Sequence, residues 1–450
     1  MTKHLFLVRH AKSSWDDDNL SDRERPLNAR GEQQLLPLAR ALRLSGGLKG
    51  TVYASDAVRA QMTLGGLQAN IGGLPSNTEP ELYTFDYKRL AAWLQAMGGN
   101  QERVTLIGHN PALLELTAWL VKNAPFELPT ASFVHLVLPI RRWQDLGKHM
   151  GKLETFLTPK DFSYQQFERK HRKQMTDGKP GANADIASAL SQQMSRLQQL
   201  ERGVMLGLDP EFLHQYRIAL RRSRSIAESV AEVTGTPSLR PFLAQFKRHA
   251  RATSLLRDLH VFQDDIPQLC GDNHELARAL SAWAELRSGK AQKQLVKRLT
   301  SKRYQDTLSH WDRHWHSKAF RERVRDLKSK DIRKRIERQC RRFNRNTAEL
   351  LHTSPDDDIH ELRKQLKRLR YLMELDARTW KDSLKTMKQR QDLYGRFQDL
   401  CTQIDLMDSF LPEAPRSVQE ALVKTIERLD AEKQAVRKDI LALGGLNLPV

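Results

Sequence analysis

The stretch "LFLVRHAKSS", residues 5–14, decides how the first third of this 450-residue chain is read. An apolar run, Leu5–Val8, stops at a cation and an imidazole, Arg9 and His10. Such a run is the pattern of a strand buried on both faces. Similar runs recur at "TVYAS" (51–55), "RVTLIG" (103–108) and "FVHLVLP" (133–139), the first being "HLFLVR" (4–9). Helix-like stretches lie between them at 31–45, 57–70, 87–97 and 112–122. The alternation predicts an α/β domain with a largely parallel sheet. In such sheets reactive groups gather beyond the carboxyl ends of the strands, where Arg9-His10 and His109 both fall.

Three basic elements recur at strand or helix starts: Arg9-His10, Arg59 in "SDAVRAQMT" (55–63) and His109 in "IGHNP" (107–111). Phosphoryl transfer needs a nucleophile and cations around the equatorial oxygens. Arginine suits the second task, because its planar fork gives paired hydrogen bonds and keeps its proton. An imidazole nitrogen can attack phosphorus and leave again. Each element alone has a plainer reading. Arg9-His10 could be a solvated strand end, Arg59 an ion-pair partner, and "GHNP" a turn into a helix capped by Asn110. Their combination in this order points to one anion pocket.

These residues resemble the histidine phosphatase superfamily, and most of all its short SixA-type phosphohistidine phosphatases. The matching stretches are "LVRHAKSSW" (7–15), "RPLNARG" (25–31), "SDAVRAQMT" (55–63), "LYTFD" (82–86), "IGHNPAL" (107–113) and "LPTASF" (128–133). The resemblance implies a three-layer α/β domain over residues 1–160. It implies His10 as nucleophile, with Arg9, Arg59 and His109 binding the phosphoryl group. Larger members use a carboxylate general acid, and no equivalent can be placed here. Glu81, Asp86 and Asp16–Asp18 are read as surface groups. A phosphoramidate leaves without such an acid and an alkyl phosphate does not, so the gap favours phosphohistidine or a similar substrate.

The formal net charge is +20. Residues 1–160 hold 19 Lys+Arg against 15 Asp+Glu, and the remainder 55 against 39, so the anion-seeking part lies C-terminal. The three cysteines, Cys270, Cys340 and Cys401, form no CxxC pair and are read as reduced. No signal peptide and no apolar run of about 18 residues is found, so a soluble cytoplasmic protein is expected. "MTDGKPGANAD" (175–185) lacks apolar periodicity and marks a linker, set at 161–184. Beyond it Leu, Ala, Gln, Arg and Lys follow helical spacing, and a second, all-helical domain is expected over 185–445. "HWDRHWHSK" (310–318) is read as a helical surface, not a metal site. The reading needs no metal and no cofactor.

The second domain contains a repeat. "HQYRIALRRSR" (214–224) matches "HELRKQLKRLR" (360–370) at an offset of 146 residues. "FKRHARATSLLRDL" (246–259) echoes "MKQRQDLYGRFQDL" (387–400) at an offset of 141, pairing Lys247 with Lys388 and Arg257-Asp258 with Gln398-Asp399. On a helix His214, Arg217, Arg221 and Arg224 fall within an arc of about 80°, opposite Tyr216, Leu220 and Ala227. His360, Arg363, Lys367 and Arg370 repeat that stripe, opposite Leu362, Leu366, Leu369 and Met373. Like charges one turn apart repel. A lone stripe reads as a solvated face, but its recurrence points to an anion. No aromatic residues interleave the cations, which makes nucleic acid unlikely and suits inorganic polyphosphate.

This repeat resembles the CHAD (conserved histidine α-helical) domain, with the two stretches as its signature helices. The resemblance implies a pseudo-two-fold helical bundle around a basic channel that binds polyphosphate. Carried over by match, the binding residues are His214, Arg217, Arg221, Arg222, Arg224, His360, Arg363, Lys364, Lys367, Arg368 and Arg370, with Lys247, Arg257 and Lys388 behind them. The joint reading is a SixA-like phosphatase acting on a phosphorylated protein or small phosphosubstrate, joined to a polyphosphate-binding domain that targets it to polyphosphate granules. The alternatives are a polyphosphate-processing phosphatase and a non-catalytic polyphosphate-binding scaffold.

Overall fold

The computed structural model describes residues 2–98, 101–175, 186–235, 239–325 and 329–448. The chain forms two compact units, Met1–Lys179 with Leu206–Glu211, and Pro180–Met205 with Phe212–Val450.

The first unit is built on β1 (Lys3–Arg9), α1 (Ala29–Ser45), β2 (Thr51–Ala54), α2 (Val58–Asn70), β3 (Ser76–Thr78), α3 (Tyr87–Gln95), β4 (Arg103–Gly108), α4 (Ala112–Leu120), β5 (Phe133–Leu138) and β6 (Lys152–Leu157). Two more helices, α5 (Pro159–Phe162) and α6 (Tyr164–Met175), occupy the first part of the stretch read as a linker; its residues 176–184 lie outside the described residues. The strand order is β3-β2-β4-β1-β5-β6. β1 is central and buried on both faces. Leu5 and Leu7 join one core with α3 and α4, while Phe6 and Val8 join the other with α1 and α2. Each such side chain contributes about 1.5–3 kcal/mol by leaving water, which accounts for the uninterrupted apolar run.

The sheet is largely parallel, as expected, with one strand reversed. β3, β2, β4 and β1 are parallel, but β5 runs antiparallel to β1 and β6 antiparallel to β5. The connection between β5 and β6 carries no α-helix, and without a helical crossover the chain returns antiparallel. β3 was hidden because "SNT" is short and polar, and β6 because "KLETFL" alternates charges with apolar residues.

The second unit holds α7 (Ile186–Leu206), α8 (Pro210–Thr234), α9 (Arg240–Ala252), α10 (Ser254–Cys270), α11 (His274–Leu299), α12 (Lys302–His316), α13 (Lys318–Arg325), α14 (Ser329–Ala348), α15 (Asp356–Glu374), α16 (Lys381–Phe410) and α17 (Arg416–Leu443). Among the described residues it contains no strand. The signature stretches lie on α8 and α15. Tyr216, Leu220 and Ala227 are buried on the first, and Leu362, Leu366, Leu369 and Met373 on the second, as their spacing requires. The echo at 246–259 is divided between α9 and α10, whereas its counterpart lies within α16. At the division Thr253 donates its hydroxyl back to the Ala250 carbonyl, a local bond that competes with helix continuation. In "HWDRHWHSK" Trp311 and Trp315 are core residues, while His310 and His316 are not buried.

Candidate functional site

Three strand ends meet at one edge of the sheet. In the parallel register Arg9 lies opposite Gly108, so His10 and His109 leave the sheet side by side. β2 ends in the same place: the Ser55 amide donates to the Ile107 carbonyl, and the His10 amide to the Gly108 carbonyl. Arg59 arrives from the first turn of α2. His10, Arg59 and His109 are all buried, at 6%, 3% and 2% exposure. The Arg59 Nε–H donates to His10 Nε2 at 3.2 Å, and an Nη donates to His109 Nδ1 at 3.3 Å. The two imidazole centroids are 5.0 Å apart.

The hydrogen bonds fix both tautomers. His10 Nδ1 is 2.7 Å from the Ala11 carbonyl, which can only accept, so Nδ1 carries the proton and Nε2 keeps its lone pair. His109 Nδ1 accepts from Arg59, so its Nε2–H donates to Ser55 Oγ at 2.8 Å. Burial pushes the His10 pKa down to about 3, helped by His109, Arg59 and Arg9 and opposed by the Ala11 hydrogen bond. Burial and Arg59 likewise push His109 down to about 3. Both rings are neutral at neutral pH, and an unprotonated Nε2 faces Arg59. Arg9 donates one Nη to the Leu128 carbonyl, and its buried Nε has no hydrogen-bond partner among the described residues.

The remaining quoted motifs brace this arrangement. Asn28 in "RPLNARG" caps α1 by accepting from the Gly31 amide, and its own amide donates to the Lys12 carbonyl. Gly31 is required there, since a Cβ would stand 2.3 Å from that carbonyl oxygen. Arg25 holds the Ser14 carbonyl and the Ser13 hydroxyl. In "LPTASF" the Ala131 amide donates to the carbonyls of Arg9 and His10. Asn110 does not cap α4. The cap position is Pro111, and the Asn110 amide group donates to the Leu128 carbonyl, beside Arg9.

In the second unit α8 and α15 face one cleft of about 730 Å³. From α8 it is lined by Arg217, Arg221 and Arg224, and from α15 by His360, Arg363, Lys364, Lys367 and Arg368, with Lys247 from α9. Arg221 lies in the field of both Arg363 and Lys367. Burial, with Arg363, Arg221 and Arg224, pushes Lys367 down to about 7, against the pull of Asp399. Burial raises the pKa of Asp258 and of Asp399, while Arg217 lowers the first and Arg363 the second. Arg217–Asp258 and Arg363–Asp399 are thus one motif placed twice, at the same offsets of 146 and 141 seen in the sequence. His214, Arg222, Arg257, Arg370 and Lys388 do not line the cleft. Arg370 pairs instead with Glu374 at 2.8 Å.

Two family models match the chain: the histidine phosphatase superfamily (branch 1) over residues 5–113, and the CHAD domain over 188–408. The chain joins a histidine phosphatase domain to a CHAD domain. An uncharacterized chloroplastic protein of Arabidopsis thaliana is 41% identical over 73 residues, which is 16% of this chain and 34% of that one. The chain therefore spans about a third of the length of this curated relative. A proposed phosphohistidine phosphatase SixA from Nakamurella multipartitia shares 21% identity at a TM-score of 0.31, over 35% of this chain and 97% of its own. The CHAD domain of Ricinus communis shares 21% at 0.47, over 59% and 93%.

The histidine phosphatase domain contains a carboxylate that sequence reasoning missed. Asp22 Oδ2 accepts from Arg59 at 2.7 Å and from the Tyr83 hydroxyl at 2.9 Å. Burial would raise its pKa, but those two hydrogen bonds and the charges of Arg59 and Arg25 hold it below the ordinary range. Asp22 is therefore ionised and sets Arg59 rather than supplying a proton. Its one signal was the spacing to Arg25, three residues on, with which it forms an ion pair. Of the carboxylates read as surface groups, Asp86 caps α3 through the Lys88 amide and Asp16 accepts from Ser14 in an exposed loop. In the CHAD domain, Arg251 and Tyr371 also line the cleft, although neither belongs to the repeated pattern.

Proposed function

We propose that the histidine phosphatase domain hydrolyses a phosphoramidate-type substrate, such as phosphohistidine, through a phospho-His10 intermediate, and that the CHAD domain binds inorganic polyphosphate. The observation that carries the first part is the fixed tautomer of His10. Its proton is committed to Ala11, and its unprotonated Nε2 accepts from the guanidinium that would hold the phosphoryl oxygens. His10 Nε2 forms a bond to phosphorus as the P–N bond breaks, and the departing nitrogen keeps the electron pair and leaves neutral with the proton the bound substrate already carries. Water then attacks phospho-His10, releasing orthophosphate and restoring Nε2. Arg59, Arg9 and His109 surround the transferring group. The site carboxylate is ionised, so a leaving group that enters already protonated, as a phosphoramidate nitrogen can, is favoured over an alcohol.

The second part rests on the cleft. Cations from the two helices that carry the sequence repeat converge on it, and of the two aromatic residues in its lining among the described residues, Phe262 and Tyr371, the first is buried in the core. Such a site reads charge without reading bases. It would place the protein on polyphosphate granules.

Incubation with a radiolabelled phosphoramidate, followed by mapping of acid-labile label, tests the reaction. Label on His10 and loss of turnover in His10→Ala are expected, with polyphosphate retention unchanged. Full turnover by His10→Ala would overturn it. Retention of polyphosphate by Arg221→Glu with Lys367→Glu would overturn the cleft assignment.

A further inference from the structure

The helical unit carries a second basic face outside the cleft. On α14, Arg338, Arg341, Arg342 and Arg345 fall within an arc of about 100°. All four are exposed. Among the described residues the ion pairs of α14 are Arg333–Glu337 and Arg335–Glu232, so these four hold none. They line a cavity of about 460 Å³ to which α8 contributes Glu232.

Shared lining residues link this face to the cleft. A recess of about 200 Å³ lies between α8 and α15, with Ser225, Ser229 and Tyr371 on its walls. It shares Glu228, Arg368 and Tyr371 with the cleft, and Glu232 with the α14 cavity. Its two carboxylates do not bar an anion, because each already has a cation. Glu228 pairs with Arg224 at 3.3 Å and Glu232 with Arg335 at 3.6 Å. A second link is electrostatic. Glu361, which lines the cleft, accepts from Lys364 and lies in the field of Arg368 and of Arg342 on α14.

We infer that a polyphosphate chain too long for the cleft leaves it through the recess between α8 and α15 and is held again on the arginine face of α14. This rests on the polyphosphate reading above. The arginines are arranged in series along a helix, about one turn apart, and not converged on a point. That arrangement suits successive units of a polymer and offers little to a single phosphate. Affinity should therefore grow with chain length after the cleft is filled.

The test uses the full chain with long-chain polyphosphate and tripolyphosphate as probes over a salt series. The variant is Arg338→Gln, Arg341→Gln and Arg345→Gln together, which keeps exposed positions helical. Long-chain affinity should fall roughly tenfold, and its log–log salt slope should shrink by about 2–3, given ~0.7–0.9 for each of three lost contacts. Tripolyphosphate affinity should not change. Unchanged long-chain affinity and slope, with Lys367→Glu still weakening both probes, would overturn the α14 path and leave the cleft standing. Absence of long-chain binding by the native protein would overturn both. An equal loss for tripolyphosphate would also overturn the path, since α14 would then be part of the primary site.

Discussion

Asp22 grips Arg59 at two points: its carboxylate takes one Nη at 2.7 Å, and its main-chain carbonyl takes the other. Arg59 in turn touches the imidazoles of both His10 and His109. The guanidinium that would bind phosphoryl oxygens is therefore oriented by an ionised carboxylate. Asp22→Asn keeps the shape and removes the charge. We expect kcat/KM to fall by ~10–100-fold, about 1.4–2.7 kcal/mol. The factor should be the same for a phosphoramidate and an alkyl phosphate, because an ionised group donates no proton. A much larger loss on the alkyl phosphate would identify Asp22 as a proton donor and overturn its positioning role.

The neutral imidazoles make the phosphatase domain acid-sensitive. His10 and His109 fall to about 3 in the folded chain, chiefly through burial. Unfolded, each takes a proton near ~6.5. Between these values the unfolded state binds protons that the folded state refuses, so stability drops as pH falls from about 6.5 toward 3. Above about pH 7 these groups contribute no slope. His135, lowered to about 4 by burial, His4 and Arg103, acts in the same direction. Urea midpoints at about pH 7.5 and pH 5 measure this, and His109→Asn should flatten the difference. Equal midpoints in the native protein would count against buried neutral rings.

How much of this was legible in the sequence follows from its physics. Residues that fill a strand or stripe a helix leave a periodic trace, so β1, β2, β4, β5 and both signature helices could be read. Arg9, His10, Arg59 and His109 could be read because they sit at element ends. Asp22 and Tyr83 sit in irregular backbone, and only the tertiary fold brings them to Arg59 from 37 residues upstream and across the site. The direction of β5 was hidden for a related reason, since apolar burial does not encode strand sense. In the helical unit the stripes were visible, but which edge of each faces the cleft was not. Packing selected Lys364, Arg368 and Tyr371 and turned Arg370 toward Glu374.

Two glycines separate steric need from habit. In Gly31→Ala the new Cβ would meet the Lys12 carbonyl oxygen at 2.3 Å, and main chain yields poorly. The cost should be about 1–3 kcal/mol. Because Lys12 follows His10, the proposed nucleophile, by two residues, turnover should fall as well. A Cβ at Gly65, inside α2, would meet nothing within 4 Å, so Gly65→Ala should be neutral or stabilise by up to about 1 kcal/mol. Thermal melts of both variants decide it; an unaffected Gly31→Ala would mean the loop after His10 is not clamped to α1.

Lys367 gives the cleft a pH dependence of its own. Burial and three neighbouring arginines hold it to about 7, so near neutrality it is only partly charged in the free protein. A bound polyanion favours the ammonium form and raises that pKa. Binding above pH 7 must then take up a proton, and affinity should decline with rising pH by up to ~tenfold per unit for one linked proton. His360, lowered by burial and then by Lys364 and Arg363, titrates below its ordinary value and shapes only the acid side. Lys367→Arg stays charged throughout and should bind with a flat profile above about pH 7. Calorimetry with long-chain polyphosphate in two buffers of different ionisation enthalpy would register the proton directly. The internal phosphates of such chains are ionised across this range, so the uptake belongs to the protein. An identical proton uptake in Lys367→Arg would place it on another group and remove Lys367 from contact with the anion.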